Sequence, residues 1–298
     1  MLRRIHIYFK EMYPLVPRIF LGYLLFFEIY FLVLLTQGRG AFSFGAGEAV
    51  GGFTVFGFLL LLRIADDFKD YETDLKLFPE RPLPSGRVTK KDLAVVLIVD
   101  VALLALLNAL FMNNVYYFLF LMVYGTLMSL WFFSRRIIQK SLPLALVTHN
   151  PIQLVINTYI ISFACIKYGI NIISYANFLI LFSLYFDGLV WEIGRKVRAP
   201  EDETEYTTYS KLYGYKKPVI LIMAVMLVDL VTSTLMVTKL FKWGFIGTVA
   251  GYVWFFAGCA AFLKNPLKLK LQRLMEQYLY ITEVYIIILI VAYLFFKI

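Results

Sequence analysis

The feature that most constrains the fold of this chain is a series of apolar stretches, each about twenty residues long, separated by short polar segments. A stretch of that length crosses the roughly 30 Å hydrocarbon core of a bilayer as an α-helix. The sequence therefore predicts an all-α polytopic membrane protein with nine transmembrane helices. Their approximate bounds are 15–36, 43–64, 92–111, 115–134, 143–163, 172–191, 217–238, 244–263 and 278–296.

The composition supports a membrane protein and excludes several other classes. Hydrophobic residues make up 61% of the chain and charged residues only 16%, whereas soluble domains carry roughly 25% charged residues. This balance excludes a disordered chain and an ordinary soluble enzyme. It also excludes a secreted disulfide scaffold, and the two cysteines, both in apolar segments without CxxC spacing, give no signal for a metal site or a disulfide. No separable soluble segment interrupts the pattern, and we expect a single domain over residues 1–298.

The basic residues are divided unevenly between the two sides of the predicted membrane protein. Of the 29 Lys and Arg residues, 24 fall at the N-terminus or after the second, fourth, sixth and eighth stretches. Because basic residues collect on the cytoplasmic side, we expect a cytoplasmic N-terminus and cytoplasmic polar loops, with the C-terminus on the opposite side. The net charge of +9 then comes from basic residues in the cytoplasmic loops, at the surface of the lipid bilayer. We expect no nucleic-acid binding, which needs a basic face on a soluble surface.

Four aspartates follow the second apolar stretch and form the densest polar group of the sequence. They are Asp66, Asp67, Asp70 and Asp74, and we call them the aspartate cluster. If the helix continues, Asp66, Asp70 and Asp74 share one face, where like charges repel and the helix C-terminus disfavours anions. Mg²⁺ binds carboxylate oxygens together with substrate phosphates. We interpret the cluster as a Mg²⁺ site, the alternative being a solvated helix end.

A proline-rich loop, from Phe78 to Arg87, comes next. Its three prolines restrict its shape, and the guanidinium groups of Arg81 and Arg87 suit phosphate oxygens. An ordinary connector with cytoplasmic positive charges is the alternative, and the loop alone does not exclude it.

A second group of charges follows the sixth stretch. Glu192 and Arg195 share a helix face at i, i+3 spacing, and Lys196 is adjacent. We call these three residues the Glu192 cluster. Such a group would share a metal ion and a diphosphate, or would neutralise itself through salt bridges, and the sequence leaves both interpretations open. Asp187, near the end of the same stretch, is expected to line a cavity.

Polar residues also occur around the start of the fifth stretch. Asn150, Gln153 and Asn157 recur at helical spacing in an otherwise apolar segment. Intramembrane polar groups usually face a bundle interior or a wet cavity, so we expect these three to line a cavity. Hydrogen bonding between helices is the alternative.

The aspartate cluster and the loop after it resemble the first motif of the UbiA superfamily of intramembrane prenyltransferases. The motif reads N-D-x-x-D-x-x-x-D, followed by a loop similar to R-P-L-P-S-G-R. Residues 66–74 match it with Asp66 in place of the asparagine, and residues 81–87 match the loop. The spacing and the loop together make the resemblance specific.

Two other family motifs are matched less well. The basic pair after the fourth helix corresponds to Arg135 and Arg136, but Trp131 stands where the family has a tyrosine. The second family motif, D-x-x-x-D, has no match, because Asp187 is followed four residues later by tryptophan, and Glu192 by lysine. The resemblance therefore indicates a divergent branch.

The resemblance implies nine helices around a central cavity and a Mg²⁺-dependent transfer of a prenyl group from an isoprenyl diphosphate to an acceptor. The acceptor would be an aromatic compound, a quinone precursor or a lipid. A membrane-bound terpene cyclase is one alternative, and a non-catalytic isoprenoid binder or transporter is another. The implied catalytic residues are the four metal-binding aspartates and Glu192, and the implied diphosphate-binding residues are Arg63, Arg81, Arg87, Arg135, Arg136, Arg195 and Lys196.

Overall fold

The computed structural model describes residues 1–296. Lys297, one of the few basic residues assigned to the side opposite the N-terminus, lies outside the described residues, as does Ile298. Every regular element of residues 1–296 is helical, which confirms the all-α class. The helices are α1 (Leu2–Glu11), α2 (Leu15–Thr36), α3 (Ala46–Lys69), α4 (Tyr71–Leu77), α5 (Lys90–Phe111), α6 (Val115–Ser129), α7 (Arg135–Ile138), α8 (Leu142–His149), α9 (Ile152–Tyr168), α10 (Tyr175–Gly194), α11 (Tyr209–Tyr213), α12 (Lys216–Leu240), α13 (Phe245–Lys264) and α14 (Leu271–Phe296).

Within residues 1–296, eight helical segments are long and apolar enough to cross a membrane. They coincide with eight of the nine predicted stretches, so the polytopic class is confirmed. Seven of them are single helices, and the eighth combines α8 and α9, which meet at Asn150 and Pro151. Proline lacks the amide hydrogen needed inside a helix, which explains the interruption.

The fourth predicted stretch, 115–134, is shorter in the structure than in the prediction. Its helix, α6, has 15 residues and ends at Ser129, so the count of nine spanning helices stays a prediction. Beyond it, Trp131, Phe132 and Phe133 adopt positive φ angles of 54°, 46° and 58°. This left-handed backbone costs an L-residue roughly 1–2 kcal/mol and cannot continue a right-handed helix. The predicted helix therefore stops before residue 134.

The described residues form two compact units, each built from several chain segments. Unit 1 comprises Met1–Phe27, Phe42–Arg135 and Ser162–Ile170. Unit 2 comprises Glu28–Ala41, Arg136–Ile161 and the chain from Asn171 onward. The chain passes from one unit to the other inside α2, α7 and α9, and in the segments before α3 and α10. The single domain over the full length stays a prediction.

Unit 1 is organised around α3, which packs against α5 and α6. Its core at one end of α3 contains Tyr8, Ile64, Leu83 and other buried side chains from α1, α3, α5 and the proline-rich loop. Arg4 donates two hydrogen bonds of 2.7 and 3.0 Å to the carboxylate of Asp92 and so ties α1 to the start of α5. These contacts bring α1 and the loop to the end of α3 that carries the aspartate cluster.

Unit 2 is organised around α12, which packs extensively against α10 and also against α13. The last helix, α14, packs against α13 and α10. Buried side chains of these four helices form one apolar core, which includes Ile193, Met226, Phe255 and Tyr278. This packing fixes the positions of the polar groups carried by α10 and α12.

Candidate active site

The aspartate cluster lies where α3 ends and α4 begins. The amide of Asp70 donates to the carbonyl of Asp66 at 2.8 Å, and the amide of Asp74 donates to the carbonyl of Asp70 at 2.8 Å. Helical hydrogen bonding therefore continues through a single bend at Asp70, where φ is −98° and ψ is 7°. The prediction that the helix carries these aspartates on successive turns is confirmed.

Asp67 and Asp74 are the two buried members of the cluster, with exposures of 5% and 6%. The carboxylate of Asp67 accepts hydrogen bonds from the Tyr8 hydroxyl at 2.6 Å and from Arg63 at 2.5 Å. Asp74 accepts one from Arg81 at 2.8 Å. Burial and the neighbouring Asp67 carboxylate raise the pKa of Tyr8 far above its ordinary value, so its hydroxyl stays a donor.

Asp66 and Asp70 are more exposed than the other two. The carboxylate of Asp66 pairs with the Lys69 ammonium at 2.7 Å. Within residues 1–296, the carboxylate of Asp70 makes neither a hydrogen bond nor an ion pair. Although residue 70 is at the surface, protein atoms displace water around its carboxylate and raise its pKa, and Asp66 and Asp74 act in the same direction.

The proline-rich loop holds its two arginines in different environments. Leu83 and Val88 anchor the loop in the core of unit 1, and the tight turn at Gly86 has a φ of 75°, which favours glycine. Arg81 lies 3.8 Å above the Phe78 ring and points its guanidinium at Asp74. Arg87 instead binds the Glu11 carboxylate through two hydrogen bonds of 2.5 and 2.8 Å. Arg81 is therefore beside the aspartates, and Arg87 connects the loop to α1.

Two further cations of unit 1 approach the aspartate cluster. The Lys69 ammonium lies 4.8 Å from the centre of the Trp131 ring, and Arg135 donates to the Lys69 carbonyl at 3.3 Å. Both side chains line a cavity of about 500 Å³ whose other walls are mainly apolar. Arg136, the other member of the predicted basic pair, belongs to unit 2. The walls of the cavity come from α3, α5, α6 and the turn after α6: Leu61, Ala65, Phe68, Leu97, Val101, Thr126, Ser129, Leu130 and Trp131.

The donor atoms of the aspartate cluster suit Mg²⁺, which prefers carboxylate oxygens. Asp70 offers both of its oxygens, whereas Asp66 and Asp74 each have one oxygen bound to a basic side chain. Within residues 1–296, no three His, Cys, Asp or Glu side chains come together in a geometry ready to hold a metal ion. Binding would therefore require Lys69 and Arg81 to yield to the cation, and Mg²⁺ stays a prediction.

The Glu192 cluster neutralises itself within unit 2. The Glu192 carboxylate receives two hydrogen bonds from Arg195, at 2.6 and 2.8 Å, and lies 2.9 Å from the Lys196 ammonium. The guanidinium of Arg195 also lies 5.2 Å from the centre of the Trp191 ring. The structure thus contains the salt bridges of the second interpretation. A role in metal or diphosphate binding stays a prediction for these residues.

The fold of this chain is similar to that of a known protein. No family model and no curated protein matches the sequence. Among solved structures, the chain is similar to a digeranylgeranylglyceryl phosphate synthase of membranes, with 17% sequence identity and a TM-score of 0.68. The match covers 98% of this chain and 99% of that chain. The chain has the fold of that synthase.

In this fold, the polar residues of α9 bind mainly to one another and to α10. The Gln153 amide donates to Asn157 at 2.9 Å, and Asn157 donates to the Leu181 carbonyl of α10 at 3.4 Å. Asn150 lies at the break between α8 and α9, and its side-chain oxygen accepts no hydrogen bond within residues 1–296. Hydrogen bonding between helices therefore accounts for Asn157, and the lining of a cavity stays a prediction for all three.

Sequence reasoning missed three residues that shape the surroundings of the aspartate cluster. Tyr8 binds Asp67, Glu11 binds Arg87, and Lys69 binds Asp66. A signal for α1 was present, because Ile5, Tyr8 and Phe9 follow the spacing of one helix face. That pattern predicts a helix with a buried side, but it does not predict which acid the buried tyrosine contacts.

Proposed function

We propose that this chain is an intramembrane prenyltransferase, which cleaves an isoprenyl diphosphate and joins the prenyl group to an acceptor. The observation that carries the proposal is the aspartate cluster, which lies among the basic side chains of Arg63, Lys69, Arg81 and Arg135, two of them at an apolar cavity. Polar groups suited to a diphosphate thus adjoin space suited to a hydrocarbon tail. The similarity in fold to a digeranylgeranylglyceryl phosphate synthase points the same way.

In this reaction the basic residues would bind the diphosphate directly, whereas the aspartates would act through Mg²⁺. Arg81 and Arg135 present guanidinium groups, which bind phosphate oxygens through paired hydrogen bonds. When the bond between the prenyl carbon and the diphosphate oxygen breaks, negative charge develops on the leaving diphosphate. Fixed cations stabilise that charge most where water is excluded. Mg²⁺, held by the four carboxylates of the aspartate cluster, would supply further positive charge for the diphosphate.

The acceptor is left open among an aromatic compound, a quinone precursor and a lipid. A terpene cyclase is the second candidate, in which the prenyl chain reacts with itself. The self-neutralised Glu192 cluster favours that candidate, because Glu192 is bound to Arg195 and Lys196 where the resemblance would have a second metal-binding acid.

Pyrophosphate release by the purified protein tests the proposal. Farnesyl, geranylgeranyl and longer diphosphates would be supplied with and without Mg²⁺, and with and without phenolic acids, quinone precursors or a lipid extract. Release that needs both Mg²⁺ and an acceptor supports the transferase. Release without an acceptor, with a hydrocarbon or alcohol product, supports the cyclase. The absence of release from folded protein under every condition contradicts both and supports a non-catalytic isoprenoid binder or transporter.

We also propose the membrane orientation that the charge distribution predicts, with the N-terminus and the aspartate cluster on the cytoplasmic side. Both native cysteines are buried, so new cysteines can be labelled selectively. Lys76 of α4 and Lys242, between α12 and α13, are both exposed. The variants Lys76→Cys and Lys242→Cys should therefore react with a membrane-impermeant thiol reagent from opposite sides of the membrane. In intact cells, we expect labelling at position 242 and none at 76, and the reverse result would contradict the orientation.

A further inference from the structure

Four carboxylic side chains lie in the middle of the spanning helices of unit 2. They are Glu28 of α2, Asp187 of α10, Asp229 of α12 and Glu283 of α14, and we call them the intramembrane acids. Each is at least seven residues from either end of its helix, a distance of about 10 Å along the axis. Ionisable residues at this depth are rare and usually mark a functional site.

The intramembrane acids have little access to solvent and no positive neighbour. The exposures are 3% for Glu28, 8% for Asp187 and 0% for Asp229, while Glu283 is half-buried. In the described part of the chain, none of the four forms an ion pair. The groups that act on them electrostatically are other acids and tyrosines. Four ionised carboxylates would be prohibitively costly in such surroundings.

The acids are arranged in two pairs. Glu28 lies within hydrogen-bonding reach of Glu283, and Asp187 lies within reach of Asp229. An ionised carboxylate only accepts hydrogen bonds. Each pair can therefore form a hydrogen bond only if one of its members carries a proton.

The hydroxyl groups around the Asp187–Asp229 pair show which member carries the proton. Asp229 accepts hydrogen bonds from Tyr252 at 2.7 Å, Thr232 at 3.0 Å and Ser233 at 3.1 Å. Three donors stabilise an ionised carboxylate. Asp187 receives no such support, and its Oδ1 has no hydrogen-bond partner within residues 1–296. The geometry thus makes Asp187 the protonated donor and Asp229 the acceptor.

The Glu28–Glu283 pair shows the same asymmetry in weaker form. Neither carboxyl oxygen of Glu28 receives a hydrogen bond from a donor within residues 1–296, although the residue is almost fully buried. Glu283 is the more exposed of the two. Glu28 is therefore the member better suited to carry the proton.

A tyrosine beside the acids points independently to a ligand. The Tyr278 hydroxyl is buried, with an exposure of 1% for the residue, and makes no hydrogen bond in the described chain. Tyr252 and Thr282 are its neighbours but lie outside hydrogen-bonding geometry, and its nearest charges are Asp187 and Asp229. A buried hydroxyl without a partner normally has a water or another polar group beside it.

A cavity lies beside the Tyr278 side chain. It has a volume of about 240 Å³ and is enclosed by α12, α13 and α14. Two of its wall residues, Ser233 and Tyr252, donate directly to Asp229. The lining of the cavity is mainly apolar, and its volume has room for several water molecules, which its hydroxyl groups would bind near Asp229. Its hydroxyl-bearing walls are Ser233, Thr248, Tyr252, Tyr278, Thr282 and Tyr285.

We propose that unit 2 contains an intramembrane proton-binding site, in which Asp187 shares a proton with Asp229 and Glu28 shares a second proton with Glu283. Uptake of each proton forms one O–H bond on a carboxylate and releases nothing. A metal ion fits less well, because no three of these acids gather around one point within residues 1–296. The site does not depend on the prenyl-transfer proposal, since it uses none of the aspartate cluster.

Infrared spectroscopy of the full-length protein in detergent tests this site. At neutral pH, protonated carboxyl groups give a carbonyl band that shifts when H₂O is replaced by D₂O, and ionised carboxylates do not. Asp100, another buried acid with an unpartnered oxygen, is first changed to asparagine to remove its own signal. In that background, we expect Glu28→Gln and Asp187→Asn each to remove the intensity of about one carboxyl group.

Glu48→Gln is the matched control. Glu48 is also buried inside a spanning helix, with an exposure of 2%, but it is ion-paired with Lys167. Its substitution should leave the band unchanged. Asp229→Asn should keep the Asp187 band and shift it, because the acceptor of the shared proton has changed. Should Asp229→Asn fail to fold, the Glu28→Gln and Asp187→Asn spectra decide, since an amide keeps the shape and donor capacity of a protonated acid.

Two results would overturn the proposal. The first is a band whose intensity is the same in Glu28→Gln, Asp187→Asn and the background protein. The second is a band that disappears saturably when sodium or potassium chloride replaces choline chloride at equal concentration, which would make an alkali cation the ligand.

Discussion

The aspartate cluster of unit 1 and the intramembrane acids of unit 2 carry the same functional group in opposite surroundings. In the aspartate cluster, Asp66, Asp67 and Asp74 each lie against a lysine or arginine. The intramembrane acids contact only other acids and hydroxyl groups. The comparison teaches that the neighbours of a carboxyl group, more than its presence, decide what it can bind. Three members of the first set are paired with bases, whereas the second set, as we propose, is arranged to hold protons.

The largest expected effect comes from neutralising acids of the first set. Asp70→Asn and Asp74→Asn should each lower pyrophosphate release at least about 100-fold. Each change removes a carboxylate that would hold Mg²⁺ beside the diphosphate. The measurement is turnover with an isoprenyl diphosphate and Mg²⁺. Glu72→Gln, an exposed acid of the adjoining helix turn, should change turnover little. Normal turnover in both aspartate variants would contradict the Mg²⁺ site and support the alternative, a solvated helix end.

The second effect distinguishes the two members of a proton-sharing pair. Asp229→Asn should lower the free energy of unfolding by about 2–3 kcal/mol, because the Tyr252 hydroxyl loses its acceptor oxygen. Asp187→Asn should cost less than about 1 kcal/mol, because an amide can donate where the protonated acid did. Denaturant unfolding of both variants in the same detergent makes the comparison. Equal costs would show that the pair is symmetric.

The Glu192 cluster resembles the aspartate cluster, since its acid is paired with two bases. Glu192→Gln should lower turnover about tenfold, because Arg195 and Lys196 lose the charge that positions them. Glu201→Gln, an exposed acid a few residues later, is the matched control. The nearby Glu203 would not serve as a control, because its carboxylate accepts a hydrogen bond from Thr208 at 2.7 Å. A loss of thermal stability without a change in turnover would assign Glu192 to structure alone.

A smaller effect tests the neutral partner within the aspartate cluster. Tyr8→Phe removes the 2.6 Å hydrogen bond to Asp67 and should lower the free energy of unfolding by about 1 kcal/mol. Thermal unfolding measures it. Tyr116→Phe, at a position that is 87% exposed, should have no such cost, and an equal cost in both variants would contradict the role of the hydrogen bond.

The smallest effect concerns the surface pair of Arg87 and Glu11. Hydrogen bonds from Arg87 hold the pKa of Glu11 below its ordinary value of 4.5. The stabilising contribution is therefore present above that ordinary value and is lost as the pH falls through the lowered pKa. As the pH falls from neutral to about 3, the native protein should lose this contribution, and Glu11→Gln, which lacks it from the start, should therefore lose less stability. Identical acid profiles would mean that the pair does not contribute.

Much of the fold follows from the sequence alone. Apolar length predicted nine spanning helices, eight of which are long enough in residues 1–296, because the bilayer fixes how long a helix must be. The position of the aspartates on successive turns followed because helical spacing is regular. The end of α6 could not be predicted in this way, since Trp131, Phe132 and Phe133 are apolar residues that continue the pattern of the helix and yet adopt left-handed backbone.

The candidate site could be predicted only in part. The spacing of acids and arginines singled out Asp74 and Arg81, which are bound to each other in the structure. The pairing of Tyr8 with Asp67 joins residues 59 positions apart and depends on how α1 packs. The intramembrane acids left a signal that was overlooked, because Glu28, Asp229 and Glu283 interrupt apolar stretches. Their arrangement in pairs depends on helix packing, which no local pattern encodes.

The shortness of α6 has a consequence for the surrounding lipid. Its 15 residues span about 22 Å, less than the roughly 30 Å of an average hydrocarbon core. A bilayer adapts to a short helix by thinning around it, and Trp131 after its end is a residue type that favours the headgroup region. If α6 crosses the bilayer as the sequence predicts, the 500 Å³ cavity of unit 1, which has Thr126, Ser129 and Trp131 in its wall, lies where the surrounding bilayer would be thinnest. We then expect the acyl-chain length of the host lipids to affect the surroundings of this cavity.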